Sequence, residues 1–449
     1  MPILDHRRAT WIAALAALAV AVAMRIHNAV HYTLLWGFDA KFNWRYIQRL
    51  TRSWNLPPPD ADWSTAHPPL FYYASAAVCR LLEDSSKGTK VIVLRLLVSA
   101  AGLVMAGLAF ALVRRTNRDD LPRAVIAGVL VLFLPVHVYM SAMVTEEIVA
   151  AMLMSVVLLG AAFRLSGPDA ALCFRHASWM GIVGGLALLT KLTGLLILLA
   201  VAAAYGIAAW RRGALWRDAG PIAWMVGVGA VVGGWFYVHN LIEYGYLYPH
   251  GLQTHKIMFT MPPGERWIAD YLRLPLAIFT DPQAVNPDLL RSIWGSTFVS
   301  VWFDSHRVFL PRDTLAVTRA GTVILALALI PTAAFGIGFL RGAVRAWRRS
   351  DPVDLLLLLL VALTLAGYVA FTWRNPWFVT SKGSFLLCLA VPFAYYGSEV
   401  LVGWLRRPGW ARVALSAALL LLLAMIVGTF TFSELFWNAD HMRKPGVLW

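Results

Sequence analysis

Residues 91–113 read VIVLRLLVSAAGLVMAGLAFALV and are followed directly by Arg114 and Arg115. An α-helix of this length extends about 35 Å, which is enough to cross the ~30 Å hydrocarbon core of a bilayer. A basic cluster at the end of such a run is typical of the cytoplasmic end of a transmembrane helix. The stretch therefore predicts an α-helical membrane protein.

The composition agrees with this prediction. Hydrophobic residues make up 59% of the 449 residues and charged residues only 14%, proportions that a water-soluble domain cannot bury. Similar apolar runs recur towards both ends, with no long polar stretch between them, so we predict one transmembrane domain over residues 1–449. The net charge of +15 comes mostly from arginine clusters between the runs, which favours membrane topology over nucleic-acid binding.

The arginine clusters fix the order of the spans. Placing each cluster on the cytoplasmic side predicts an all-α bundle of about eleven transmembrane helices, at 11–30, 91–113, 123–144, 147–164, 178–190, 192–210, 220–239, 316–340, 353–372, 383–404 and 411–431. The N-terminus is then cytoplasmic and the C-terminus lies outside. We expect the first helix to remain uncleaved, with a signal peptide as the alternative.

One apolar segment, 67–82, does not fit as a span, because a further crossing there would place every later arginine cluster outside the membrane instead of on the cytoplasmic side. We predict a juxtamembrane helix that starts at Pro68 and Pro69 and whose aromatic residues, Phe71, Tyr72 and Tyr73, lie in the membrane interface. The outside then carries two large loops, about 31–90 and about 240–315. The cysteines show no metal or disulfide spacing and are predicted to be small apolar fillers: Cys79, Cys173 and Cys388.

Ionisable residues at the outer ends of the predicted helices are the candidates for chemistry. Asp39 follows the first helix within an aromatic stretch, and taken alone it is interpreted as a helix N-cap. His67 opens the juxtamembrane helix and can lie at the same boundary or simply in the interface. Glu146 and Glu147 occupy an outside turn, and because adjacent residues point to different helix faces, we expect only one of them to face a site.

Lys191 interrupts an almost continuous apolar stretch from 181 to 204, so its ammonium should either reach the interface or meet an anion. Lys382 and Arg273 are further cations on the outer side. Because the arginine clusters indicate which end of each helix is cytoplasmic, these cations are predicted to lie on the same side of the membrane as Asp39 and Glu146. A carboxylate that can act as a base, beside cations that can hold a phosphate, is what displacement of a lipid phosphate from a sugar requires.

At this point the sequence resembles the GT-C superfamily of membrane glycosyltransferases, in particular protein O-mannosyltransferases and lipid A aminoarabinose transferases. The resemblance covers most of the chain, in order. It rests on segments that include Phe38-Asp39-Ala40, His67-Pro68-Pro69-Leu70-Phe71-Tyr72, Val144-Thr145-Glu146, Leu189-Thr190-Lys191, Trp235-Phe236-Tyr237-Val238-His239-Asn240 and Arg291-Ser292-Ile293-Trp294-Gly295. Two departures stand out, since many relatives carry Asp-Glu in place of Asp39-Ala40 and Arg-Tyr after the position of Lys382.

The resemblance implies a GT-C bundle in which Asp39 is catalytic, Glu146 is a site partner and Lys191 binds the carrier phosphate. We expect an inverting glycosyltransferase that moves a sugar from a polyprenyl-phosphate carrier to a hydroxyl of a lipid, glycan or protein acceptor. Lys382 and Arg273 are secondary phosphate ligands, and His67 orients the acceptor or the base. No cofactor is required for this reaction, although a divalent metal between Asp39 and Glu146 is compatible with it.

Two other classes remain open. A transporter or flippase for lipid-linked saccharides also uses intramembrane charges, but those cluster near the midplane and often accompany inverted repeats. A ligase or polymerase acting on undecaprenyl-diphosphate glycans would share the greasy groove and the cationic loops. The arginine-rich short loops favour a bacterial inner membrane with the site on the periplasmic face, with membrane lipids as neighbours and no nucleic-acid partner.

Overall fold

The computed structural model describes residues 2–167, 171–248, 261–310 and 315–431, and these residues form helices and no β-strand. In chain order the α-helices are α1 (Pro2–His31), α2 (Ala40–Arg52), α3 (Leu70–Leu81), α4 (Lys87–Thr116), α5 (Leu121–Leu132), α6 (Pro135–Ser141), α7 (Glu147–Leu165), α8 (Phe174–Thr190), α9 (Gly194–Arg211), α10 (Leu215–Tyr244), α11 (Ala277–Thr280), α12 (Pro287–Leu290), α13 (Ile293–Trp302), α14 (Leu315–Arg348), α15 (Pro352–Arg374), α16 (Ala390–Leu405) and α17 (Trp410–Thr431). The predicted all-α polytopic fold is confirmed.

Nine helices in the described part of the chain are long and apolar enough to cross a membrane, and the bent pair α5 and α6 would make a tenth. The eleventh predicted span corresponds to α8, which has 17 residues. A helix of that length extends only about 26 Å, slightly less than a typical hydrocarbon core. All predicted spans except 123–144 thus correspond to one long helical segment each, and α8 falls short of the ordinary length of a crossing.

The predicted single helix over 123–144 was wrong, because the chain breaks between α5 and α6 with a bend of 53°. Pro135 lacks the amide hydrogen that would continue the helix, and its ring clashes with the preceding turn. At the break, Arg25 of α1 donates to the carbonyl oxygen of Leu132 at 2.8 Å and to Nδ1 of His137 at 2.9 Å. This buried guanidinium satisfies backbone that the bend would leave exposed to lipid.

Arginine-rich turns gather at one end of the bundle, which we name the arginine end. There Arg345 of α14 contacts Asp354 of α15 at 2.5 Å and Glu399 of α16 at 2.9 Å. Arg123 of α5 reaches the same Glu399 carboxylate at 3.2 Å. These ion pairs tie four helices together at the end opposite the candidate site.

The other end, the site end, carries α2 and α3 between α1 and α4. The segment predicted as a juxtamembrane helix forms α3, which starts after Pro69. Tyr72 is fully buried, so its predicted place in the interface was wrong: α3 packs this side chain inward. Cys173 is also exposed rather than a filler, whereas Cys79 and Cys388 are buried as predicted.

Arg95 of α4 fixes the loop that leads from α1 to α2. Its guanidinium donates to the carbonyl oxygens of Tyr32 at 2.7 Å, Thr33 at 2.6 Å and Ala29 at 3.3 Å. These carbonyls belong to the last turn of α1 and the residues after it, where a helix leaves acceptors without amide partners. A buried cation therefore holds the start of the segment that ends in Asp39.

Candidate active site

Asp39 occupies the N-cap position of α2, but its carboxylate makes no capping hydrogen bond. Its backbone has a φ of 51°, in the left-handed region that non-glycine residues seldom adopt. The backbone carbonyl still accepts from the Asn43 amide at 2.8 Å, so the helix begins normally. The carboxylate of Asp39 thus does not cap α2 and is left for another contact, and its backbone has a conformation that is often found at functional sites.

Gly37 packs the Asp39 loop against the turn that carries Glu146. Its φ of 120° is accessible only to glycine without strain. A Cβ atom at this position would lie 2.7 Å from both Cγ and Sδ of Met143, which is itself buried. The two acidic segments predicted from the sequence are therefore in direct contact in the fold.

Glu146 lies in a buried polar cluster at the start of α7. Its Oε2 atom is 3.3 Å from the Tyr72 hydroxyl, and its Oε1 atom is 3.6 Å from Nδ1 of His67. Nδ1 of His67 lies 3.1 Å from the same Tyr72 hydroxyl. The structure thus brings together two predicted site residues, His67 and Glu146, and adds a tyrosine between them.

Asn43 of α2 supports this cluster from the other side. Its Oδ1 atom accepts from the Tyr72 hydroxyl at 2.9 Å and from the Ser64 hydroxyl at 2.7 Å. Its Nδ2 atom donates to the Val144 carbonyl oxygen at 2.9 Å. Three segments of chain, around residues 43, 64–72 and 144–146, are therefore fixed to one another by buried hydrogen bonds.

Glu147 points away from Glu146 and forms an ion pair with Lys191. The two adjacent carboxylates therefore have different partners, and Glu147 is itself largely buried, with a side-chain exposure of 11% against 17% for Lys191. Burial would lower the pKa of Lys191, yet the carboxylates of Glu147, Glu146 and Asp39 raise it above its ordinary value. Lys191 thus remains a cation, one already matched by a carboxylate.

Lys382 is buried at the other side of the site, between α15 and α16. Its ammonium lies 4.1 Å from the centre of the Phe38 ring and 5.7 Å from that of Phe385. Lys191 approaches the Phe385 ring as well, at 5.0 Å. Within the described residues Lys382 forms no ion pair, although Asp39, Glu146 and Glu147 lie within electrostatic range.

The chain on both sides of Lys382 is firmly held. Arg266 of the second large loop donates to the Ser381 hydroxyl at 3.3 Å. Gly383 packs against α13, where an added Cβ would lie 2.8 Å from the backbone nitrogen of Val301. The Gly383 amide donates to the Ser300 hydroxyl at 2.9 Å. The lysine is therefore presented by a rigid segment instead of a loose loop.

His306 forms the wall beside Phe38 and Lys382. Its ring stacks on Phe378 with the centroids 6.0 Å apart and meets Phe38 edge-on at 5.4 Å. Burial, together with the nearby Lys382 charge, lowers the pKa of His306 to about 3. The imidazole is thus neutral, with Nε2 donating to the Phe378 carbonyl at 3.3 Å.

The predicted site residues separate into two groups. One group lies together at the site end, within contact distance or electrostatic range of one another: Asp39, His67, Glu146, Lys191 and Lys382. Arg273 lies exposed in the second large loop, and in the described part of the chain its guanidinium has no hydrogen bond or ion pair with this group. Among the described residues no set of three or more His, Cys, Asp or Glu side chains has a metal-binding arrangement.

Sequence reasoning missed Asn43, Tyr72 and His306. Tyr72 belongs to an aromatic run that resembles any interfacial belt, and Asn43 lies within a helix that looks merely amphipathic. One available signal was the helical spacing of Asn43 from Asp39, which places both residues one turn apart on the same face. His306 had no comparable signal, because its partners lie at positions 38, 378 and 382.

A family model described as dolichyl-phosphate-mannose-protein mannosyltransferase matches residues 66–236. These residues include His67, Glu146 and Lys191 but not Asp39 or Lys382. No curated protein sequence matches the chain significantly.

Among solved structures, the chain is similar to the oligosaccharyltransferase of Archaeoglobus fulgidus in complex with Zn and sulfate, with a TM-score of 0.56 and 17% identity over 94% of this chain and 52% of that one. The AglB oligosaccharyltransferase of the same organism, in complex with an inhibitory peptide and a dolichol-phosphate, gives a TM-score of 0.52 and 16% identity, over 94% and 55% of the two chains. The chain thus spans about half the length of these archaeal enzymes.

ArnT from Cupriavidus metallidurans, bound to undecaprenyl phosphate, is similar at a TM-score of 0.44 and 18% identity, over 87% of this chain and 77% of that one. That score is too low to add to the fold assignment, which rests on the archaeal structures. The family model thus covers fewer than half of the 449 residues, and the archaeal structures show that the chain shares their fold.

Proposed function

We propose that this protein is an inverting glycosyltransferase that moves a sugar from a polyprenyl-phosphate carrier to a hydroxyl group of a lipid, glycan or protein acceptor. One observation carries the proposal: at the site end, a carboxylate without a capping bond, Asp39, lies within electrostatic range of a buried lysine, Lys382, that has no ion-pair partner among the described residues. A base and a phosphate-binding cation are the two groups that this transfer needs.

Asp39 acts as the base in this reaction. The acceptor hydroxyl transfers its proton to the Asp39 carboxylate while its oxygen forms a bond to the anomeric carbon. The bond between that carbon and the phosphate oxygen breaks, and the polyprenyl phosphate leaves with the electron pair from the opposite face of the sugar. A single displacement of this kind inverts the anomeric configuration.

Lys382 stabilises the charge that develops on the leaving phosphate. Its ammonium is held over the Phe38 ring next to Asp39, so the base and the phosphate ligand adjoin one another through consecutive residues, 38 and 39. Lys191 supports the same positive potential but shares its charge with Glu147. The resemblance instead implied that Lys191 is the main phosphate ligand and Lys382 a secondary one.

The lipid part of the donor agrees with the surroundings of the site. Glu146 and Lys191 lie at the ends of the apolar helices α7 and α8, and Asp39 lies in the loop that follows the apolar helix α1, so an isoprenoid chain can remain in the bilayer while its phosphate reaches the charges. The dolichol-phosphate complex of AglB, which shares the fold, supports a carrier of this class. We further propose that the protein resides in a bacterial inner membrane, with the arginine end cytoplasmic and the site end periplasmic.

Mass spectrometry of envelope glycolipids and glycans tests the proposal. Cells that lack the gene are complemented with the wild type, with Asp39→Asn or with Asp60→Asn, an exposed aspartate in the same loop. We expect a sugar-modified product with wild type and Asp60→Asn, and its loss together with accumulation of the carrier-linked sugar with Asp39→Asn. A donor linked through a monophosphate and a donor linked through a diphosphate are then supplied separately. Transfer from the monophosphate donor alone distinguishes this enzyme from a ligase or polymerase that acts on diphosphate-linked glycans. Normal product with Asp39→Asn at equal expression would exclude Asp39 as the base.

A further inference from the structure

The hydrogen bonds around Asn43 have only one consistent direction. A backbone carbonyl can only accept, so the amide atom that faces the Val144 carbonyl at 2.9 Å must be the donor Nδ2. Oδ1 therefore faces Ser64 and Tyr72 and can only accept from them. Both hydroxyl groups are buried with Asn43, so solvent does not supply an alternative partner.

The Tyr72 hydroxyl lies between two acceptors. A phenol has one proton, and two acceptors compete for it: Asn43 Oδ1 at 2.9 Å and Glu146 Oε2 at 3.3 Å. Both acceptors lie within hydrogen-bonding distance of the Tyr72 hydroxyl, which can donate to either of them, and the Tyr72 oxygen can in addition accept from Nδ1 of His67 at 3.1 Å.

Tyr72 thus contacts both members of the His67–Glu146 pair, whose Nδ1 and Oε1 atoms lie 3.6 Å apart. Asn43 fixes the position of the Tyr72 oxygen from the opposite side. Removing this one hydroxyl group would take away the contact that both His67 and Glu146 make with α3.

We propose that Tyr72 is a positioning residue: anchored by Asn43, its hydroxyl group holds the side chains of His67 and Glu146 in place for contact with a substrate hydroxyl. This inference rests on the proposed function, since the substrate hydroxyl belongs to the sugar or to its acceptor. The pair then presents a defined donor and a defined acceptor to that hydroxyl, whereas Asp39 removes the proton in the displacement. The surrounding charged groups are Asp39, Glu147, Lys191 and Lys382.

Tyr46 provides a matched control. Its ring stacks on Tyr72 with the centroids 4.2 Å apart and an interplanar angle of 26°. Its hydroxyl is buried and has no hydrogen-bond partner among the described residues. Tyr46→Phe and Tyr72→Phe thus remove the same atom from two rings of one stack, and only the second removal touches the His67–Glu146 pair.

The test uses purified full-length protein in lipid nanodiscs, with the polyprenyl-phosphate-sugar fraction extracted from the source cells as donor. We expect Tyr72→Phe to lower kcat on the order of 10²-fold with a smaller change in KM, and to shift the pH profile of kcat, while Tyr46→Phe keeps wild-type kinetics. Asn43→Ser, which removes the Oδ1 acceptor, should shift the profile in the same direction. In a Glu146→Gln background the further change Tyr72→Phe should have little effect.

The outcomes distinguish failure of the proposed function from failure of the role inferred for Tyr72. Absence of transfer by the wild type with every donor fraction would overturn the proposed function and this inference with it. Transfer by the wild type, with Tyr72→Phe matching Tyr46→Phe in kcat and pH profile, would overturn the inference alone. Full additivity of Tyr72→Phe and Glu146→Gln would also overturn it. Thermal unfolding of each variant identifies a loss that comes from misfolding, and Asn43→Ser then decides the question in place of Tyr72→Phe.

Discussion

Replacing Lys382 with methionine should weaken the binding of a polyprenyl phosphate by about 10²-fold. Methionine keeps an apolar stem against the Phe38 ring, which the lysine ammonium approaches to 4.1 Å, and removes the charge. The packing around residues 381–383 depends on Arg266, Ser300 and Gly383 and does not involve the ammonium. The substitution therefore tests electrostatics with little change in shape.

The magnitude follows from Coulomb's law. Two unit charges about 4 Å apart interact by about 4 kcal/mol at an effective dielectric constant of about 20. At 1.4 kcal/mol for each factor of ten, this corresponds to about 10³-fold in affinity. Binding also removes the remaining hydration of the ammonium, a cost that the methionine variant does not have, and this reduces the expected effect to about 10²-fold.

The assay is equilibrium binding of polyprenyl phosphate to the protein in nanodiscs, followed by native mass spectrometry at a series of lipid concentrations. Lys41→Met is the control, because Lys41 is an exposed lysine in the first turn of α2. We expect Lys41→Met to match the wild type. Carrier affinity unchanged in Lys382→Met, at an unchanged melting temperature, would refute the assignment of the phosphate to Lys382.

Two further predictions concern neighbours of Lys382. Glu147→Gln should increase carrier affinity several-fold, since it releases Lys191 from its ion pair and removes one negative charge; a weaker affinity in the same binding assay would instead show that Glu147 holds Lys191 in place. For His306, the folded pKa of about 3 lies below the ordinary value of 6.5, so its contribution to stability is complete above pH 6.5 and is lost as the pH falls from there towards 3. The melting temperature of the wild type should therefore fall over that range more than that of His306→Gln, and equal losses in the two proteins would contradict the assignment.

The sequence was sufficient for the fold class and for the end of the bundle at which the charges meet. Both follow from features that act locally: apolar length sets a span, and arginine clusters set its direction. Counting the crossings between arginine clusters predicted that Asp39, Lys191 and Lys382 lie at the same end of the bundle, and in the structure they lie there within electrostatic range of one another. The short apolar helix α3 was predicted by the same argument, because a further crossing would have reversed all later clusters.

Partners within the site could not be predicted, because they depend on how helices pack. Glu146 and Glu147 are adjacent in the chain and similar in type, yet one meets Tyr72 and the other meets Lys191. Their separation follows from helix geometry, whereas the identity of each neighbour depends on the positions of α3 and α8. The break after α5 had a sequence signal in Pro135, but the guanidinium that stabilises it comes from Arg25, more than one hundred residues earlier.

The arrangement of charge explains why the polar cluster around Tyr72 matters for a phosphate donor. Three carboxylates and two ammonium groups occupy the site end, and this excess of one carboxylate opposes the binding of a phosphodiester. The Glu147 carboxylate is matched by Lys191, and the Glu146 carboxylate is held by the Tyr72 hydroxyl and faces His67. Lys382, which has no ion-pair partner among the described residues, is then the attractive charge for the incoming phosphate. The hydrogen bonds of Asn43 and Tyr72 should therefore affect donor binding as well as contact with a hydroxyl, because they keep the Glu146 carboxylate within its own cluster.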